Sequence, residues 1–234
     1  MTKNIYKFIK VSLPTAKKLP SRKLFIIIST VQTLILISLA AAFGVAASNQ
    51  TNLHAPFLEA LVSGKIAWDA LQPQILPSLV VGIAGAVIFL MVYYGVCRPR
   101  LDKKTIQCME SLRMSSGIWG RVLYGGIVEE VLSRWGLMMF FVWVGTFFGG
   151  PSPFILWAAI IISGLLFGLG HLPAYLSFGC KKTPAFMISM LGLNLWASII
   201  FGWLFWHYGL CAAMIAHALF HLVWYPFDVY FAEK

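Results

Sequence analysis

Apolar residues in this chain do not recur at the spacing of an amphipathic helix or strand. They form long unbroken runs separated by short polar breaks. About 20 apolar residues are needed to cross a bilayer core roughly 30 Å thick. Six runs meet that length: 24–47, 76–96, 122–147, 153–171, 184–206 and 209–230. The breaks carry helix-stopping residues, most clearly Gly149-Gly150-Pro151-Ser152-Pro153, with Pro184 and Gly209 marking two more boundaries. The pattern predicts an all-α, polytopic membrane helical bundle with about six transmembrane helices.

Composition agrees. The chain is 59% hydrophobic and only 11% charged, where a soluble domain carries about a quarter charged residues. Its net charge of +10 invites a nucleic-acid reading, but the distribution argues for topology instead. Lys3, Lys7, Lys10, Lys17, Lys18, Arg22 and Lys23 precede the first run, and Arg98, Arg100, Lys103, Lys104, Arg113 and Arg121 lie between the second and third. Lys65 is the only Lys or Arg in the loops on the other side. The positive-inside rule then puts both termini inside, N-in and C-in, with no role for nucleic acid. Residues 1–23 read as a basic cytoplasmic segment, its lysines drawn to anionic lipid, and 24–117 as two spans with a basic cytoplasmic linker. Ala46-Ala47-Ser48 resembles a signal-peptidase site, yet the apolar run before it is too long, so an uncleaved anchor is expected. Cys97, Cys108, Cys180 and Cys211 show no paired spacing and read as free thiols. Compact size and short loops fit a multi-pass protein of a bacterial inner membrane.

Polar residues inside the runs carry the chemistry. A charge near a bilayer centre costs roughly 2.5–3.5 kcal/mol on insertion scales, so such groups pair, face a cavity and mark function. Glu129, Glu130 and Arg134 lie in one run. On a helix Glu130 and Arg134 are i,i+4 neighbours with the acid first, the better orientation for an ion pair. Glu129 is left without that partner, as a carboxylate suited to general-base work. An inert buried network would not need two adjacent acids. His171 ends Phe167-Gly168-Leu169-Gly170-His171, where the glycines permit close helix approach or a local break. His217 and His221 share one helical face at a spacing that suits a metal or a pair of hydrogen-bond donors. Asn194 reads as an interhelical hydrogen bonder, and His54 and His207 as solvated loop residues.

On these residues the chain resembles the CPBP family, which comprises CAAX proteases and bacteriocin-processing enzymes (also called Abi) and includes the type II CAAX prenyl endopeptidases. Glu129, Glu130 and Arg134 match its EExxxR motif, and Phe167 and His171 its FxxxH motif. His217 begins its third motif, HxxxN or HxxxD, but position 221 is His where Asn or Asp is usual. The resemblance covers roughly 118–225 and implies a catalytic membrane domain over 118–230. It implies an intramembrane endopeptidase acting on a membrane-associated peptide or protein. Glu129 with His171 would activate water, Glu130 with Arg134 would position substrate or hold the site, and His217 and His221 would stabilise the oxyanion.

A cofactor is not fixed by the pattern. Zinc on His171, His217 and His221, with Glu129 as base, is one arrangement, and a metal-free glutamate mechanism is slightly favoured over it. Two other functions compete with proteolysis. One is a non-catalytic membrane regulator or bacteriocin-immunity protein; the other is a proton-linked transporter, against which stands the lack of an inverted repeat.

Overall fold

The computed structural model describes residues 21–232, and every regular element among them is helical. In chain order these are α1 (Arg22–Thr51), α2 (Pro56–Val62), α3 (Ala67–Val92) continued by a π-wound turn (Tyr93–Cys97) and a 3-10 turn (Arg98–Arg100), α4 (Lys103–Ser115) and α5 (Gly117–Gly120). Two π-wound segments follow, Arg121–Glu129 and Val131–Met138, and then α6 (Met139–Thr146), α7 (Pro153–Ser177), α8 (Pro184–Tyr208) and α9 (Leu210–Ala232). The basic segment 1–23 lies outside the described residues except for its last three.

The chain is therefore an all-α bundle of the multi-pass membrane type. Five helices among the described residues are long and apolar enough to cross a membrane: Arg22–Thr51, Ala67–Arg100, Pro153–Ser177, Pro184–Tyr208 and Leu210–Phe231. The remaining expected span, 122–147, is helical but not a single α-helix. Most of it is wound with i→i+5 bonding, which is rare and concentrates at functional positions. Two boundaries also differ from expectation. The stretch 48–75 is not a plain loop, since α2 and the start of α3 fall within it. Helix α7 does not end at His171 but continues through Pro173 to Ser177. A proline removes one helix hydrogen bond, and membrane helices tolerate that where neighbouring groups re-satisfy the backbone.

Helix starts follow local rules. Ser152 and Thr183 cap α7 and α8 by accepting from the amides of Ile155 and Phe186, and each is followed by a proline at the first helical position. Gly209, at φ 103°, makes the left-handed turn between α8 and α9. Near the start of α9 the Ala212 amide is shared between the Gly209 carbonyl (3.1 Å) and the buried side chain of Gln74 on α3 (3.0 Å).

Packing uses small residues, as expected where lipid removes the hydrophobic drive between helices. Helix α9 lies against α3, α8 and the first π segment. A Cβ on Gly82 of α3 would stand 3.0 Å from the Ala216 backbone of α9. Helix α1 docks on the second π segment, with Gly44 against Trp135 and Gly136 against Ala40. Large apolar side chains such as Ile27, Leu39 and Val45 are exposed outward along α1, a surface that suits lipid and not water.

One buried ion cluster locks the basic linker onto α9. Asp228 is fully buried and accepts from Arg113 Nη2 (2.8 Å) and Nε (3.1 Å), and from Arg121 Nη1 (2.8 Å). Tyr94 donates to the same carboxylate at 3.0 Å. Arg113 and Arg121, which count among the topology-setting charges of the linker, are both more than nine-tenths buried. The reason is Asp228, whose carboxylate can leave water only with cations beside it. Replacing Asp228 by Ala is expected to cost about 3–5 kcal/mol by stranding two guanidinium groups. The fall should appear as a lower apparent Tm of the detergent-purified protein, and an unchanged Tm would contradict this role.

Candidate active site

Three helical elements bring the candidate residues to one cavity of about 240 Å³. Glu129, Glu130 and Arg134 come from the π-wound helix, His171 from α7, and His217 and His221 from α9. Of these, Glu130 alone does not line the cavity. The two adjacent acids are thus placed differently: the Glu129 side chain is 20% exposed and that of Glu130 only 1%.

Glu130 is enclosed by partners. Its Oε2 pairs with Arg134 Nε at 3.2 Å, although the angle is too poor for a hydrogen bond. Its Oε1 lies 2.7 Å from His217 Nδ1. With Arg134 beside it the Glu130 carboxylate is suited to accept, which assigns the proton of this contact to Nδ1 of His217. Arg134 is further tied to Ser198 Oγ (3.2 Å), which donates to the Ile160 carbonyl (3.2 Å). His217 is stacked on Phe201, with ring centroids 4.5 Å apart, and on His221 at 4.9 Å. Its Nε2 therefore has a fixed direction.

That direction is towards Glu129. His217 Nε2 lies 3.9 Å from Glu129 Oε2, and His171 Nε2 lies 4.0 Å from Glu129 Oε1. His171 is oriented within its own helix, its Nδ1 donating to the Phe167 carbonyl at 2.9 Å. Both imidazoles thus commit Nδ1 to a structural bond and turn Nε2 to one carboxylate. The separations are too long for direct hydrogen bonds. They suit a third group, a water or a substrate oxygen, held between the side chains.

The winding of the helix and one glycine make this convergence possible. Gly125 lies one turn before Glu129, and a Cβ there would collide with His221 Nε2 and crowd His217. Gly126 similarly admits the backbone of α9 at Met214 and Ala218. In the FxxxH stretch Gly168 packs against Leu191 and Asn194, whereas Gly170 faces open space, and no helix break occurs. Asn194 does not bond across helices as expected. Its amide donates to Met190 of its own helix (2.7 Å), and the residue lines the cavity. His54 and His207 are exposed, as read from the sequence.

Some functional candidates were not seen in the sequence. Tyr124, Arg113 and Arg121 all line the cavity with Glu129. A lone aspartate in the last apolar run, Asp228, was the available signal for the two arginines.

The described residues contain no group of three or more His, Cys, Asp or Glu side chains placed to hold one ion. Nδ1 of His217 is engaged by Glu130, so Nε2 is the nitrogen left open to a ligand, whether water, substrate or metal. The cysteines are free, and burial pushes the Cys180 thiol, in the turn between α7 and α8, up to about 12. A thiol so protonated is a poor nucleophile.

The space at Gly125 gives a direct test. Gly125→Ala should displace His221 and His217 and lower any Glu129-dependent activity at least ~10²-fold, the scale on which small misplacements act. Gly95→Ala, where nothing lies within 4 Å, should leave it unchanged. Equal activity of both variants, measured in purified protein, would show that the histidine positions do not matter.

The family model described as type II CAAX prenyl endopeptidase Rce1-like matches residues 113–223. No curated protein and no solved structure matches the chain. The matched stretch contains every one of the six candidate residues and both arginines of the Asp228 cluster. Through residues 113–223 the chain is similar to the Rce1-like type II CAAX prenyl endopeptidases.

Proposed function

We propose that the protein is an intramembrane endopeptidase in which Glu129 activates a water for attack on a peptide carbonyl. The observation that carries this reading is the facing of His171 Nε2 and His217 Nε2 onto the cavity-exposed carboxylate of Glu129. Glu130, buried against Arg134 and His217, serves to hold them. The division of labour between adjacent acids follows from their surroundings, one wet and one enclosed.

The steps use only these side chains. Glu129, with His171 beside it, takes a proton from water as the oxygen attacks the scissile carbon. Negative charge develops on the carbonyl oxygen and needs fixed donors. His217, when protonated on both nitrogens, keeps Nδ1–H on Glu130 and offers Nε2–H to that oxygen. His221, stacked on His217 and lining the same cavity, supports its ring and stands as a second donor. As the tetrahedral intermediate collapses, the C–N bond breaks and the proton held by Glu129 passes to the leaving amine. Expelling bulk water from a small cavity strengthens each of these interactions.

The substrate we infer is a membrane-associated peptide or protein reaching the cavity from the inner leaflet. That orientation follows the N-in, C-in charge pattern, in a bacterial inner membrane. Glu129→Ala and His171→Ala should each lower peptide cleavage by reconstituted protein by about 10²–10⁴-fold while insertion is retained. Mass spectrometry of the product peptides provides the measurement. Wild-type cleavage by both variants would remove the proposal and favour a non-catalytic regulator.

A further inference from the structure

One wall of the cavity comes from a helix that does not cross the membrane. Met109, Leu112, Arg113 and Ser116 of α4 line it together with Ala174 and Tyr175 near the end of α7. Helix α4 carries Lys103, Lys104, Glu110 and Arg113 and is not among the five membrane-length helices. The charge pattern puts it on the inner side, across the route of a peptide arriving from the inner leaflet.

The two halves of α4 are held differently. Later in the helix, Arg113 is fixed by Asp228 and Glu110 by Arg98. Nearer its start, α4 meets the turn after α7 through weaker links. The Lys181 amide donates to Thr105 Oγ1 at 3.4 Å. Cys108 Sγ donates to the Phe178 carbonyl at 3.1 Å, and Cys180 Sγ points to the Thr105 carbonyl at 4.0 Å. A thiol is a weak donor.

Each sulfur thus leans on the backbone of the other's element, and the two thiols are close enough to hydrogen-bond to each other. A Cβ on Gly179 would stand 3.9 Å from Cys108 Sγ. The turn itself is well defined. Gly179, at φ 95°, ends α7 in the left-handed region, and the amides of Phe178, Gly179 and Cys180 bond back to Ala174, Leu176 and Tyr175. The pair is also asymmetric: Cys108 is half-buried and within reach of a small oxidant, whereas Cys180 is buried.

We propose that Cys108 and Cys180 are a modification site for hydroperoxides, forming a reversible disulfide that clamps α4 across the inner end of the cavity. Disulfides of reducing compartments are of this transient, redox-sensing kind. Cys108 attacks hydrogen peroxide, the O–O bond breaks, one water leaves and Cys108 becomes a sulfenic acid. Cys180 then attacks that sulfur, the S–O bond breaks, and the hydroxyl leaves with the Cys180 proton as a second water. Two thiols are oxidised and one peroxide is reduced to two waters. Cys180 is a poor nucleophile towards a free reagent, but here its target is held against it, and proximity offsets the deficit.

The bond is tested without catalysis. Full-length protein in phospholipid nanodiscs is treated with hydrogen peroxide and digested without reductant. Mass spectrometry should find the Cys108 peptide joined to the Cys180 peptide, and dithiothreitol should part them. Cys97→Ser and Cys211→Ser should keep the link, and Cys108→Ser should lose it. No link in the wild type, or a link through Cys97 or Cys211, overturns the proposal. Hydrogen exchange tests the clamp: oxidation should slow the amides of α4 at least ~10-fold, as blocking a local opening does. Cys108→Ser given the same peroxide should show no slowing, which controls for methionine oxidation. A disulfide that leaves α4 exchange unchanged overturns the clamp. Glu129-dependent peptide cleavage should fall at least ~10-fold on oxidation and return with dithiothreitol, as gating of access requires. Cleavage indifferent to the disulfide overturns the clamp, whereas absence of any Glu129-dependent cleavage overturns the protease reading alone.

Discussion

A carboxylate removed from water must be answered by cations or donors, and Glu130 is answered by Arg134 on its own helix and His217 on α9. The rest of the site depends on that linkage. It fixes the distance between the π-wound helix and α9, commits Nδ1 of His217, and turns Nε2 towards Glu129. Breaking one side would strand a buried charge, a far larger penalty than the net worth of the pair. In the proposed mechanism Glu130 acts through the geometry it imposes, which leaves Glu129 to meet water.

The same logic explains the helix that carries both acids. Its i→i+5 winding and the bare Gly125 bring the backbone close enough to α9 for two histidines to sit beside Glu129. A regular α-helix with any side chain at position 125 could not approach so closely. Local irregularity of this kind marks sites where close approach outweighs ideal hydrogen bonding. The Asp228 cluster does a parallel job at the other end of the cavity, pinning the basic linker to α9 with charges that first looked like topology signals.

Much of this was legible in the sequence, for identifiable reasons. Run length gave the membrane class, because lipid thickness sets helix length. Helical spacing gave the Glu130–Arg134 pair, because i,i+4 neighbours meet on any such helix. The isolation of Glu129 from Arg134 was legible on the same ground. What spacing cannot show is which faces meet. Glu130 and His217 are far apart in the chain, and Asp228 answers arginines more than a hundred residues earlier. Asn194 illustrates the converse, a polar residue that satisfies itself on its own helix instead of bonding across. The end of α7 beyond His171 was missed because Pro173 reads as a stop in water and is tolerated in lipid.

The linkage at Glu130 can be observed directly by solid-state NMR of the reconstituted protein with ¹⁵N-labelled histidine. The account predicts that Nδ1 of His217 bears a proton, in either the neutral or the charged ring, and that Glu130→Gln alters its resonance. A neutral His217 protonated only on Nε2, unaffected by Glu130→Gln, would contradict the arrangement from which the roles of both glutamates are derived.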